Sequence, residues 1–161
     1  MIPETAVPIQ KRRLLRMTVG HYRNPDVNED DFHRWVTEEH AVRAARLHAR
    51  NGIEGFSVVF SPQSFREVAD TFVSKSGSPL TVRDHDAQAV YLFRDMDTFY
   101  KGAADLEFQV LRAEEEPYIS LIGAEISLGW IEDYVTDGKV VNIGQDGKPT
   151  YPSFKEASVA P

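Results

Sequence analysis

The chain contains no cysteine. Disulfides, thiolate nucleophiles, Cys-ligated zinc and iron–sulfur sites are therefore excluded. A cysteine-free chain is compatible with the cytoplasm, the location expected here. No apolar run approaches the roughly 18 residues that a membrane-spanning helix needs. The opening MIPETAVPIQKRR has no continuous apolar stretch, so it is not read as a secretion signal. Gly-x-Gly-x-x-Gly and the phosphate-loop pattern are both absent, which leaves nucleotide binding without support. There is no His-Glu-x-x-His or calcium-loop pattern, so no metal is called for. No Gly-x-Ser-x-Gly elbow is present either. Basic charge is also scarce: 18 Lys and Arg face 25 Asp and Glu, a net charge of −7. Only Lys11-Arg12-Arg13 is densely basic, so neither nucleic acid nor membrane is an expected partner.

What is present suits one domain. The 161 residues are 42% apolar, enough for one sheet with covering helices. Residues 1–12, with Pro3 and Pro8, read as an arm. From Leu14 to His21 the pattern alternates. Leu15, Met17, Val19 and His21 share one face, and Arg16 lies on the other. Asn28 is placed to cap a helix running to about Arg50, with Asp31 reaching back as in a capping box. Phe56–Phe60 and Ala87–Phe93 read as strands. Gln63–Phe72 reads as a short helix, followed by a connection over 74–79. Helices are expected over 95–104 and about 108–115, then a strand from about Glu125 to Tyr134. Residues 142–161 read as a tail of loops or extended cover. The order is β-α-β-β-α-β with one inserted helix. That predicts an α+β, ferredoxin-like antiparallel four-stranded sheet over residues 13–141. Helices on one sheet face leave the other bare, and a homodimer would cover it.

Five histidines, His21, His33, His40, His48 and His85, are the natural proton carriers near neutral pH. His40 follows Glu39 directly, so the two side chains point apart, and Glu39 is free to pair with Arg43. His33 reads as solvent-facing. His48 near a helix C-terminus reads as a charged capping residue. His21 and Tyr22 end a strand and face opposite ways. Asp84-His85-Asp86 places two carboxylates around an imidazole just before a strand, where Asp86 could orient or tune it. The surplus of aromatics, Trp130 among them, fills a core or lines a pocket for a flat ligand.

Several segments in order carry a resemblance. They are RLLRMTVGHYR from Arg13, NEDDF from Asn28, EEHA from Glu38, DHDA from Asp84, FRDM from Phe93, and GWIEDYVTDGKVV from Gly129. The chain resembles the EthD-like proteins of the dimeric α+β barrel superfamily. More narrowly, it resembles the small fungal decarboxylases of aromatic polyketide pathways, of the type acting on atrochrysone carboxylic acid. Two departures stand out: relatives often carry paired histidines at Glu39-His40, and Asp-Tyr-Asp at Asp84-His85-Asp86. The resemblance implies a cofactor-independent decarboxylase acting on an aromatic polyketide acid. It implies His40 as proton donor, with His85 as second candidate and Asp86 orienting an imidazole. His21, Tyr22, Arg16 and Trp130 would contact substrate. A polyketide cyclase or dehydratase, or a small-molecule carrier, would use the same pocket.

Overall fold

In the computed structural model, residues 7–161 are described. The first six residues of the arm, Pro3 included, lie outside them. A short helix α1 (Ile9–Arg12) leads into strand β1 (Leu15–Arg23). Helix α2 (Glu29–Trp35), a π-helical turn (Val36–His40) and helix α3 (Ala41–Arg50) then carry the chain to β2 (Gly55–Phe60). Helix α4 (Gln63–Ser76) separates β2 from β3 (Ala87–Phe93). Helices α5 (Met96–Ala103) and α6 (Leu106–Ala113) precede β4 (Ile119–Trp130). A small hairpin, β5 (Val135–Thr136) and β6 (Lys139–Val140), and a last helix α7 (Phe154–Ala157) complete the chain.

The main sheet has the order β2-β3-β1-β4 with every neighbour antiparallel. This is the ferredoxin-like α+β arrangement. Alternation along β1 sets its two faces. Leu15, Met17, Val19 and His21 pair across to Phe93, Tyr91, Ala89 and Ala87 and face the helices. Arg16, Thr18, Gly20 and Tyr22 face away. Leu15, Met17, Ile53 and Phe93 form one core cluster, and Phe32, Trp35, Val36, Ala87 and Ile119 form another. Phe93 is fully buried; removing such a side chain from water stabilises the fold by about 2–3 kcal/mol.

Local chemistry explains most element ends. Asn28 Oδ1 accepts from the Asp31 amide at 2.8 Å, and Glu29, Asp30 and Asp31 complement the helix dipole. The expected capping box is not closed: Asp31 accepts from the Asn28 side-chain amide rather than from its backbone. The helix expected to run unbroken from there to Arg50 contains the π turn, in which the Ala41 amide donates to the Val36 carbonyl five residues back. Thr37 contributes to the break, since its hydroxyl donates to the His33 carbonyl at 2.9 Å.

Helix α4 runs past its expected end at Phe72 and stops at Gly77, whose φ of 63° supplies the left-handed cap. Its apolar stripe, Phe65, Val68 and Phe72, is exposed, and none of its residues is buried. Strand β4 begins six residues before Glu125, and its register with β1 shifts between Gly20 and Tyr22. The C-terminal segment is tied back by Arg13. That buried guanidinium donates to the Ala157 carbonyl at 2.6 Å and also to the Val159 carbonyl. No helix among the described residues is long and apolar enough to cross a membrane.

Candidate active site

Between the helix-bearing sheet face and the helices lies a cavity of about 270 Å³. Strand β1 supplies Met17, Val19 and His21 to its wall, and β3 supplies Ala87, Ala89 and Tyr91. The helical side brings Phe32, Val36, His40, Phe99, Phe108 and Arg112, and Glu115 follows α6. The small Ala87 and Ala89 leave room where large residues would fill the space. The wall is mostly aromatic and aliphatic, with a few polar groups converging on it, as in sites for flat organic ligands.

His40 closes the π turn, a geometry that often occurs at functional positions. Its Nε2 stands 3.5 Å from Glu115 Oε1, and both side chains are nearly enclosed. The His40 ring lies 5.1 Å from that of Trp35, which in turn stacks on Tyr118 at 4.3 Å. These rings hold the imidazole and exclude water from one side. Its Nδ1 is buried without a protein partner.

Burial decides the protonation of this pair. Desolvation, with smaller contributions from His21, His48 and Arg43, lowers the His40 pKa to about 4. Desolvation raises Glu115 to about 7, against a smaller opposing effect of Arg112. Near neutrality the imidazole is therefore neutral, and the Glu115 carboxyl is about half protonated, more fully so at mildly acidic pH. A buried ion pair would have to desolvate two charges, so the neutral arrangement is favoured. His21 is also lowered, first by burial and then by Arg112 and His85. Burial pushes Tyr91 up to about 12, so its phenol remains a neutral donor.

The structure divides the residues singled out from sequence. His40 and His21 meet in the cavity; the others do not. Asp86 contacts neither His40 nor His85 as an orienting group. It accepts from the Arg23 backbone amide at 3.0 Å, lies 3.2 Å from Arg23 Nε, and lies 3.5 Å from Arg66. It clamps the end of β1. His85 is buried on the opposite sheet face, its ring over Gly20, with Nε2 3.7 Å from Glu125. Tyr22 is on that side too, donating to Asp84 at 2.8 Å. Arg16 lines a shallow groove there with His85 and Glu125. Trp130 pairs with Leu15 at the far end of β1 from His21, and its indole donates to Glu132. Strand alternation separates His21 from Tyr22, and strand length separates Trp130 from His40.

Other expectations also change. His48 is not a charged cap. It is buried among Phe56, Tyr91 and Phe108, and desolvation lowers its pKa to about 4. Arg43 pairs with Glu114 rather than Glu39. His33 is exposed, as expected, and packs edge-on against Phe60. Glu115, Arg112 and Tyr91 were not singled out. Arg112 had a usable signal: it lies four residues after Phe108, on the same side of α6. Glu115 had none, because α6 ends at Ala113 and the turn after it decides which of Glu114, Glu115 and Glu116 points inward.

Comparison with known proteins follows the same lines. The EthD domain model matches residues 24–122. An Aspergillus terreus protein named "Putative oxygenase" is 39% identical over 145 residues, covering 90% of this chain and 91% of that one. The conidial pigment biosynthesis dehydratase EthD of Metarhizium robertsii is 22% identical, covering 84% of this chain and 95% of its own. Decarboxylase AgnL1 of Paecilomyces divaricatus is 23% identical, covering 80% and 86% respectively. The family match spans β2, β3, the start of β4 and the helices α2 to α6, and the Aspergillus relative extends the similarity over nearly the whole chain. The chain belongs to the EthD domain family.

Proposed function

We propose that this protein is a cofactor-independent lyase that decarboxylates an aromatic polyketide carboxylic acid. The observation that carries this reading is His40 facing Glu115 inside an aromatic-lined cavity. Decarboxylation breaks the bond between ring carbon and carboxylate. The electron pair moves into a conjugated carbonyl or phenol, and carbon dioxide leaves. The resulting enolate carbon then takes a proton. The substrate's own carbonyl is the electron sink, so the step requires no cofactor. Neutral donors, Tyr91 foremost, are suited to stabilise the developing oxyanion. Glu115 holds the proton and neutral His40 passes it to carbon, after which Glu115 is reprotonated from solvent. His21, beside them, is a further contact for a ring oxygen.

The reading includes a cytoplasmic homodimer. It is supported by the sheet face that bears no helix and by the exposed Phe65, Val68 and Phe72 of α4. Burial of those side chains against a second copy would remove three exposed apolar groups from water.

The Metarhizium relative's name supports a second reading, a dehydratase or cyclase acting on a related intermediate. Water loss also passes through an enolate and needs the same acid. Mass analysis of reactions with aromatic polyketide acids separates these readings and a non-catalytic carrier. The proposal expects loss of carbon dioxide, about 44 mass units, that is slowed by roughly two orders of magnitude or more in His40→Ala. Loss of water alone would favour the dehydratase. Tight binding without conversion would indicate a carrier. Carbon dioxide release at the full rate in His40→Ala would sink the role given to His40.

A further inference from the structure

Arg112 is the one permanent cation among the described residues that line the cavity. It also lines the adjoining polar groove with Asn24, Gln109, Glu116 and Ser120. It therefore stands where a dry, aromatic compartment opens into a wet one. Neighbouring arginines are engaged: Arg43 with Glu114, Arg50 with Asp105, Arg23 with Asp86. No described side chain forms an ion pair or hydrogen bond with the Arg112 guanidinium. Its charge is nevertheless felt by His21 on β1, Tyr91 on β3 and Glu115, three groups on separate parts of the wall.

We propose that Arg112 binds the carboxylate of the substrate at the cavity mouth, so that the site takes flat aromatic acids ring-first. The proposal rests on the decarboxylase reading above and names its recognition element. The placement agrees with the chemistry. Glu115 is three residues away and lines both compartments, so a carbon bearing a carboxylate at Arg112 lies beside the His40–Glu115 pair. Carbon dioxide formed there leaves directly into the groove.

The exposure of Arg112 has a mechanistic consequence. A carboxylate loses its charge as carbon dioxide departs. A cation that gripped it strongly would stabilise the ground state more than the transition state and slow the reaction. A solvent-screened guanidinium orients the acid with a smaller penalty. Its loss should therefore appear in KM rather than in kcat.

The test uses 1-hydroxy-2-naphthoate and its uncharged methyl ester as probes, with binding measured by calorimetry at neutral pH. Wild type should bind the acid roughly 10-fold more tightly than the ester, the order expected for a charge-assisted hydrogen bond. Arg112→Leu should abolish that preference and Arg112→Lys should retain part of it. In turnover of a substrate acid, Arg112→Leu should raise KM by a similar factor and leave kcat within about threefold. Equal acid binding by wild type and Arg112→Leu overturns the proposal, as does the absence of any acid preference in wild type. If Arg112→Leu loses the preference but no acid is decarboxylated, the anion site stands and the lyase reading fails. If His40→Ala stops carbon dioxide release while Arg112→Leu leaves KM unchanged, the lyase reading stands and the role of Arg112 fails.

Discussion

The two faces of the main sheet place histidines in contrasting settings. On the helix-bearing face, His21 and His40 border a cavity, each with an unpartnered buried Nδ1. Glu115 Oε1 stands 3.5 Å from His40 Nε2. On the other face, His85 lies pressed over Gly20 and its ring is 4.9 Å from that of Tyr22. Its surroundings are Glu125, Arg83 and Arg16 along a shallow groove. Both faces bury an imidazole. Both set a carboxylate near it, but Glu125 is exposed, and only the first face adds an enclosed acid, a cavity and an aromatic wall. Burial alone therefore does not distinguish the two settings; an enclosed carboxylate partner inside a ligand-sized space does.

The comparison can be broken most sharply at Glu115. Glu115→Gln removes the stored proton while keeping the shape. Turnover should fall by roughly 10- to 100-fold. In wild type, the rate should fall as pH rises through about 7, where Glu115 loses its proton. That limb should disappear from the residual activity of the variant.

Thermal unfolding against pH sharpens the same point. The folded-state pKa of Glu115 is raised, so its contribution to stability is lost as pH rises from 4.5 to about 7. That of His40 is lowered, so its contribution is lost as pH falls from 6.5 to about 4. Between those limits the folded and unfolded pair each hold about one proton, and the two effects cancel. Glu115→Gln should unmask acid sensitivity and His40→Ala alkaline sensitivity, each about 1–3 kcal/mol across its window. Parallel curves for all three proteins would contradict the shared-proton account.

On the other side, Asp86→Asn weakens the clamp with Arg23 and Arg66. A stability loss of about 1–3 kcal/mol in denaturant titration is expected, with kcat almost unchanged. The smallest effect belongs to Gly20. A Cβ there would stand 2.6 Å from the His85 ring. Gly20→Ala should cost about 1–2 kcal/mol, and His85→Ala in the same chain should recover part of it. Absence of that recovery would mean His85 does not rest on Gly20.

Much of this fold could be read in the sequence because short-range rules govern it. Alternation placed Leu15, Met17, Val19 and His21 on the helix-bearing face, and the Asn28 cap formed. The interruption by the π turn was not legible, since EEHAVRAARL has helical spacing throughout. Nor was the start of β4 at Ile119, where pairing with Tyr22 and Arg23 outweighs local preference. The site was half legible. His40 and His21 were named on the residues that carry the family resemblance. Asp84-His85-Asp86 looked like one chemical unit, yet its three side chains go to Tyr22, to the sheet over Gly20, and to Arg23. Glu115 became a candidate only through long-range packing of the turn after α6 against His40.

The most direct test of the central claim compares kcat for carbon dioxide release in His40→Ala and His85→Ala on one substrate acid, each checked for wild-type folding by circular dichroism. The proton pair on the helix-bearing face predicts a loss of roughly 100-fold or more for His40→Ala and less than about threefold for His85→Ala. The reverse order would contradict it and move the chemistry to the other face of the sheet.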